Sequence, residues 1–269
     1  MNLPVSTLRV ASLVPSLTEL VVALGLLDVL VARTGFCIHP ADALHAVPKV
    51  GGTKDVNLAK LQGLAPTHVL VNVDENRRDT IDAIRAWPNP PQIVVTHPNA
   101  PEDNLALVAQ LLAHFGTNLG TRADVAERAA VLTRGLQHEL DQTQPNGRPA
   151  QRVLYLIWRD PWMTVARDTY IARMLARIGW HTLPDQRGGE SGAARYPALQ
   201  GDEPWLADVQ QVLLSSEPYR FGDEHLDAAR RLCPNAHARL VDGEMLSWYG
   251  PRAVPGLRYL RDIAAAALK

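Results

Sequence analysis

Aromatic side chains that follow strand-like segments are the clearest candidates for chemistry in this sequence. Phe, Trp and Tyr make up only 6% of the 269 residues, yet many of them come just after a predicted strand or in a turn. Ligands of open α/β sheets bind beyond the carboxyl ends of the strands. Large rings there suit a flat, partly apolar ligand, although any single ring could instead fold back onto the core. The aromatic candidates are Phe36, Trp158, Trp162, Tyr219, Phe221, Trp248 and Tyr249. Two charged residues of the same loops, Arg159 and Glu217, are also candidate ligand-binding residues.

A charged loop at 73–79 follows another apolar strand-like run. Glu75 and Asn76 offer hydrogen bonds to amide or carboxamide groups of a ligand. The same residues also fit an ordinary helix start, because acidic side chains are favoured at a helix N-terminus. Both interpretations stay open for Glu75 and Asn76, whereas Arg78 and Asp79 are assigned to the helix start.

The segment Cys37-Ile38-His39-Pro40 superficially resembles a metal or thiol motif. One Cys and one His supply only two ligands, and no second pair has closing spacing, so we expect a structural loop and no metal site. His39 stays a candidate axial ligand to a bound metal complex. The sequence has no nucleophile elbow and no H-E-x-x-H motif, and Gly51-Gly52-Thr53-Lys54 lacks the Walker spacing. We therefore predict no enzymatic activity, and an enzyme acting through Cys37 and His39 is the least favoured alternative.

Strand-like and helical segments alternate along the chain, which predicts an α/β fold with mostly parallel strands. Ser16 and Glu19 have the spacing of a capping box at the start of the first helix, and Asp168 is predicted to cap a later one. The predicted strands are 8–14, 29–33, 68–73, 92–96, 152–158 and 211–216. The predicted helices are 16–26, 77–86, 101–115, 122–142, 168–179, 223–232 and 251–268.

One helix divides the chain into two similar halves. Apolar residues at spacings of three and four run from about 122 to 142, a rod of roughly 30 Å, and a Pro- and Gly-containing segment at 144–149 ends it. We predict an N-terminal lobe at 1–118, a linking backbone helix at 119–143 and a C-terminal lobe at 144–269. A single rigid rod would permit only small movements of the lobes.

Composition excludes several classes of protein. The chain has 27 Lys and Arg against 28 Asp and Glu, a net charge of −1, which removes the basic footprint of a nucleic-acid binder. A 46% hydrophobic content argues against disorder, and no apolar run reaches the length of a membrane span. The sequence as written has no secretion signal, which predicts a cytoplasmic location, or a periplasmic one if the sequence is a trimmed mature form.

Several motifs resemble a known family. The opening 9–20 followed by Ala23-Leu24-Gly25, the segment Val50-Gly51-Gly52 and the segment Trp162-Met163-Thr164-Val165 are similar to the helical-backbone metal-receptor superfamily. These are the substrate-binding proteins of ABC importers for cobalamin, haem and iron siderophores. Asp168-Thr169-Tyr170-Ile171 and Ser247-Trp248-Tyr249-Gly250 most resemble the cobalamin-binding branch. The resemblance covers nearly the whole chain.

The resemblance implies two Rossmann-like lobes with mostly parallel sheets, joined by one long rigid helix as in class III periplasmic binding proteins. It implies a ligand held in the cleft between the lobes by the residues named above. Family members commonly carry one exposed acid on each lobe to dock on a permease. In the first lobe Ala59 stands where that acid is expected, beside Lys60, which would weaken docking. In the second lobe Asp202 or Glu203 is available.

The sequence therefore predicts a non-enzymatic binding protein for a corrinoid, with cobalamin as the bound ligand and no intrinsic cofactor. We expect it to act as an intracellular carrier or sequestering protein. The first alternative is a secreted substrate-binding component of an ABC importer with the same pocket. The second keeps the fold and binds haem or a ferric siderophore.

Overall fold

The computed structural model describes residues 8–119 and 122–267. Within these ranges the chain forms eight strands, all of them in parallel pairs. The strands are β1 Val10–Ser12, β2 Leu30–Arg33, β3 His68–Asn72, β4 Gln92–Thr96, β5 Gln151–Leu156, β6 Trp180–Thr182, β7 Gln211–Ser215 and β8 His237–Val241. The helices are α1 Pro15–Ala23, α2 Ala41–Leu44, α3 Leu58–Gly63, α4 Arg78–Arg85, α5 Asp103–Leu119, α6 Ala123–Gln142, α7 Tyr170–Ala176, α8 Leu226–Leu232, α9 Gly243–Ser247 and α10 Ala253–Ala266.

The chain folds into two compact units, each made of separate segments. The first unit comprises the residues up to Pro98, then Asn104–Gln137 and Tyr249–Pro251. The second comprises Asn99–Asp103, His138–Trp248 and the residues from Arg252 onward. Helix α6 is shared, since its residues up to Gln137 belong to the first unit and those from His138 to the second.

The first unit is built on a four-stranded sheet of order β2-β1-β3-β4. Strands β1 and β3 are buried at every position, as expected for the inner strands of a parallel sheet that is covered on both faces. Strand β4 lies at the edge and is partly exposed. Because β1 and β3 pair in parallel, with Ser12 opposite Leu70, the loops that follow them emerge at the same end of the sheet.

The second unit repeats this arrangement with the order β6-β5-β7-β8. Strands β5 and β7 occupy the centre and pair from Val153 opposite Gln211 to Leu156 opposite Leu214. A core cluster that includes Leu154, Val212 and Phe221 packs on this sheet. The predicted α/β fold class with two parallel sheets is confirmed.

Two helix starts differ from the sequence prediction. Helix α1 begins with Pro15 at its first position and is preceded by Val14, which makes no side-chain capping bond. The capping box at Ser16 was therefore wrong: Pro15 preorganises the helix start one residue earlier, and Ser16 is buried inside the helix.

Helix α7 also begins later than predicted. Its cap is Thr169, whose side chain accepts a hydrogen bond from the Ala172 N–H. The carboxylate of Asp168 instead accepts from the Gly188 and Gly189 N–H groups, at 2.8 and 3.1 Å. The prediction of Asp168 as the cap was wrong because these two N–H groups, distant in the sequence, take up both carboxylate oxygens.

None of the helices in the described ranges is both long enough and apolar enough to cross a membrane.

Candidate functional site

Two loops that follow the central strands of the second unit carry most of the predicted aromatic residues. The loop after β5 folds back on itself, since the Ile157 N–H donates to Met163 O and the Met163 N–H to Trp158 O. The loop after β7 is bonded to it, because the Tyr219 N–H donates to Ile157 O at 3.3 Å. The parallel pairing of β5 and β7 thus brings together side chains that lie some sixty residues apart in the sequence.

Four rings from these loops form an aromatic cluster, defined here as Trp158, Trp162, Tyr219 and Phe221. Trp162 stacks on Phe221 with ring centroids 5.9 Å apart and planes at 14°. Trp158 meets Tyr219 edge-on at 5.6 Å. Tyr219 and Phe221 are 4.7 Å apart. The guanidinium of Arg159 lies 5.4 Å from the centre of the Trp162 ring, within cation–π range.

The aromatic cluster changes from core to surface across its width. Phe221 is 5% exposed and belongs to the core of the second unit, whereas Trp158 is 41% exposed. Tyr219 and Trp162 are half-buried and pack against that core. The cluster therefore presents one large ring, Trp158, on an apolar support that is packed into the core, and such a ring suits the face of a flat ligand.

Glu217 and Trp248 form a second group in the same unit. One carboxylate oxygen of Glu217 accepts hydrogen bonds from Ser247 Oγ at 2.7 Å and from Trp248 Nε1 at 2.8 Å. Burial raises the pKa of Glu217, although these two hydrogen bonds oppose the rise. Arg252 lies 5.0 Å from the centre of the Trp248 ring. Glu217 thus fixes the segment around Trp248, and Trp248 itself is only 7% exposed.

Tyr249 belongs to the first unit and is buried there. Its hydroxyl donates to a carboxylate oxygen of Glu75 at 3.1 Å. Burial raises the pKa of Tyr249 well above its ordinary value, and the negative charge of Glu75 raises it further. The hydrogen bond to Glu75 thus fixes the position of the Tyr249 ring within the first unit.

Asn76 is held by the backbone around it. Its side-chain oxygen accepts from the Asn72 N–H at 2.9 Å, and its amide group donates to Leu13 O and Thr53 O at 3.2 and 2.9 Å. The residue is 8% exposed. Both amide hydrogens are used, so the geometry gives Asn76 a structural role in the first unit, and ligand contact through this residue stays a prediction.

The loop after β2 exposes two apolar side chains around a buried thiol. Phe36 is 63% exposed and Ile38 is 49% exposed, while Cys37 is fully buried. Burial raises the pKa of Cys37, against the opposing hydrogen bonds of Thr18 and Thr34. A thiol in this setting is a weak nucleophile. His39 is half-buried in the same loop.

The structure adds two groups that the sequence analysis missed. His97 lies just after β4, and its Nε2 is 3.5 Å from a carboxylate oxygen of Asp74, the neighbour of Glu75. His225 packs edge-on against Tyr219 and Phe221. The strand-end rule applied to β4 would have found His97, but no sequence signal indicates His225. Among the described residues no three His, Cys, Asp or Glu side chains are grouped so as to hold a metal ion.

Together the two parallel sheets and the loops at their carboxyl ends define the class of the fold, an α/β protein of two units that are each built on one parallel sheet. No family model matches the sequence. A curated vitamin B12-binding protein of Vibrio cholerae serotype O1 is 25% identical over 229 residues, which are 81% of this chain and 71% of that protein. The predicted resemblance to cobalamin-binding proteins is confirmed by this relative.

Solved structures share the fold over almost the whole chain. The periplasmic vitamin B12 binding protein of Vibrio cholerae has a TM-score of 0.76 at 18% identity, covering 97% of this chain and 98% of that one. The periplasmic haem binding protein of Vibrio cholerae has a TM-score of 0.73 at 22% identity, covering 97% and 99%. A periplasmic haem-binding protein from Roseiflexus sp. RS-1 has a TM-score of 0.72 at 19% identity, covering 96% and 100%. The names describe binding proteins and not enzymes, in agreement with the sequence prediction.

The cytoplasmic location predicted for the sequence as written gains no support from these comparisons. The solved structures that share its fold are of proteins named as periplasmic.

Proposed function

We propose that this chain is a non-enzymatic binding protein for a corrinoid, with cobalamin as its ligand. The observation that carries the proposal is the aromatic cluster, because it offers an exposed ring on a rigid support at the carboxyl ends of β5 and β7. Similarity to a vitamin B12-binding protein over 81% of the chain supports the corrinoid among flat ligands.

The remaining predicted residues supply the polar contacts in this proposal. Arg159 stands at the edge of the aromatic cluster, with its side chain one-third exposed. Glu75 is half-buried beside Asp74. The corrin ring carries carboxamide groups at its periphery, and these groups both donate and accept hydrogen bonds. In the second unit the guanidinium of Arg159 therefore complements the edge of the ligand, while the rings complement its face; ligand contact by Glu75, in the first unit, stays a prediction. The placement of the ligand in a cleft between the lobes stays a prediction.

Calorimetric titration with cyanocobalamin, with hemin in parallel, tests the proposal. We expect one-to-one binding of cyanocobalamin at micromolar concentration or below. A matched pair of variants sharpens the test: Trp158→Ala should weaken binding, and Leu240→Ala should leave it unchanged. Leu240 lies on β8 of the same unit and is 39% exposed, close to the 41% of Trp158, but it lies outside the two loops. Absence of heat with cyanocobalamin would refute the corrinoid proposal.

Haem is the second candidate, because a haem-binding protein shares the fold almost as closely as the vitamin B12-binding protein does. Haem iron is held by His, Cys, Met or Tyr side chains. His39 is the predicted axial ligand, and its side chain is half-buried in the loop after β2, whereas the neighbouring Cys37 is fully buried. If hemin binds, His39→Ala should change its absorption spectrum. An unchanged spectrum would remove His39 from the site.

The same binding activity would also suit the substrate-binding component of an ABC importer, which is the alternative to a carrier role. Ala59 is exposed in the first turn of α3 and supplies no docking acid there. In the second unit both oxygens of Glu203 are used by the Gln200 and Gly201 N–H groups, at 2.7 and 2.9 Å, whereas Asp202 is exposed. We propose the carrier role, because α3 offers no docking acid and Asp202 is the one candidate acid of the second unit whose side chain is not used in this way. Cell fractionation, and pull-down of a permease by the wild type and by Ala59→Glu, distinguish the two roles.

A further inference from the structure

The hydroxyl of Tyr219 is paired with a buried histidine beneath the aromatic cluster. Tyr219 Oη and His225 Nε2 are 3.1 Å apart. The two rings meet edge-on with centroids 5.4 Å apart. His225 is 6% exposed, so its hydrogen bonds are made within the protein and not with bulk water. The direction of this one bond determines which way the tyrosine hydrogen points.

The backbone of Gly222 sets the direction of that bond. The Gly222 N–H donates to His225 Nδ1 at 3.0 Å, so Nδ1 is the acceptor nitrogen of the ring. Gly222 O lies farther from the same nitrogen, at 3.3 Å, and because the backbone N–H can only donate, a hydrogen on Nδ1 would leave the Gly222 N–H without this shorter bond. In a neutral imidazole one nitrogen accepts and the other carries the hydrogen. The hydrogen therefore lies on Nε2.

The same direction holds if the imidazole is charged. A carboxylate oxygen of Glu224 is 3.4 Å from His225 Nδ1 and would accept a hydrogen placed there. Because an imidazolium carries hydrogens on both nitrogens, Nε2 donates to Tyr219 Oη in either state. The hydroxyl of Tyr219 is thus the acceptor in this pair, and its own hydrogen is directed elsewhere.

Within the described part of the chain, His225 is the hydrogen-bond partner found for that hydroxyl. We infer that Tyr219 donates its hydroxyl hydrogen to an acceptor oxygen at the edge of the ligand, such as a carboxamide carbonyl of a corrinoid or a carboxylate. His225 is the positioning residue, because it occupies the oxygen of the hydroxyl as an acceptor and leaves the hydroxyl hydrogen for another partner. The inference rests on the proposed function and adds a specificity-determining group to it: ligands without a peripheral acceptor oxygen lose this bond.

The position of the hydrogen on His225 can be tested in the ligand-free protein. A long-range ¹H–¹⁵N correlation spectrum of the imidazole identifies the protonated nitrogen of His225. We expect a hydrogen on Nε2. A neutral ring with its hydrogen on Nδ1 would make Tyr219 the donor to His225 and would overturn the inference, whatever the ligand is.

Titration with cyanocobalamin tests whether the Tyr219 hydroxyl donates a hydrogen bond to the ligand. Tyr219→Phe keeps the ring and removes the hydroxyl, and we expect about tenfold weaker binding, as for one lost hydrogen bond. Tyr259→Phe is the matched control, because its hydroxyl accepts from the Asp242 N–H in the same unit, away from the aromatic cluster; its affinity should equal that of the wild type. His225→Leu should weaken binding in the wild type and have no further effect in Tyr219→Phe. An additive loss would overturn the positioning role.

The failure of this inference differs from that of the proposed function. Wild-type protein that binds neither cyanocobalamin nor hemin would refute both. Wild-type binding that Tyr219→Phe leaves unchanged would refute the donor role of Tyr219 alone.

Discussion

Replacing Trp158 by Ala separates ligand binding from folding. Trp158 is 41% exposed, and a tryptophan offers roughly 250 Å² of surface, so about 100 Å² is available for a ligand to cover. At about 25 cal/mol per Å², full coverage contributes about 2.5 kcal/mol to binding. Partial coverage lowers this to about 1 kcal/mol. We therefore expect affinity for cyanocobalamin to fall roughly 5- to 70-fold.

The same substitution should affect folding much less. Trp158 is not part of the core of the second unit, and its neighbour in the aromatic cluster is the half-buried Tyr219. We expect thermal unfolding of the ligand-free variant to stay close to that of the wild type. Calorimetry measures the affinity and circular dichroism measures the unfolding, with Leu240→Ala as the control in both. Trp158→Ala protein that binds as tightly as the wild type would refute the role of the aromatic cluster.

Three further predictions concern the framework of the protein. Trp162→Ala removes the ring that stacks on Phe221 and should lower the free energy of unfolding by about 2–4 kcal/mol in denaturant titration; an unchanged midpoint would contradict this packing. Burial alone would raise the pKa of Glu139, but its hydrogen bonds with Arg258 and Arg261 lower the pKa overall. The ion pairs of Glu139 therefore stabilise the folded protein fully above the ordinary glutamate pKa. This contribution to the free energy of unfolding is lost as the pH falls through the lowered pKa. Glu139→Gln should therefore be less stable by about 2 kcal/mol at neutral pH and converge with the wild type in acid; a difference independent of pH would refute the ion pair. Neither buried thiol should react with a disulfide reagent before unfolding, because burial raises the pKa of Cys37, and that of Cys233 to about 12; rapid labelling of the native protein would revive the enzymatic alternative.

Hydrophobic patterning predicted the longer elements well. The predicted strand at 92–96 and the helix at 122–142 correspond to β4 and α6 because each has a strong period or a continuous apolar run. The short strands β6 and β8 were missed. Strand β8 is at a sheet edge and is exposed or half-buried at four of its five positions, so its residues carry little of the apolar signal that marks a buried strand.

The sequence predicted which loops carry the candidate site, but it did not predict how deeply each of their side chains is buried. The strand-end rule found Trp158 and Phe221 together, yet one is 41% and the other 5% exposed. Orientation within a loop depends on contacts with distant residues, such as the bond from the Tyr219 N–H to Ile157 O. Contacts with distant residues also account for the structural role of Asn76, whose side-chain amide donates to Leu13 O and Thr53 O. Sequence spacing does not contain these contacts.

The segment 249–251 has a consequence for the order of folding. Tyr249 and Gly250 complete the first unit, where Tyr249 donates to Glu75 and the Gly250 N–H donates to Asn104. During synthesis on the ribosome these residues appear only after the whole stretch from His138 to Trp248 has been made. Although domains usually fold in the order of their synthesis, the amino-terminal unit here cannot be finished first. Tyr249 and Gly250 are synthesised after most of the second unit. A nascent chain released before that point would lack the hydrogen bonds of Tyr249 to Glu75 and of Gly250 to Asn104.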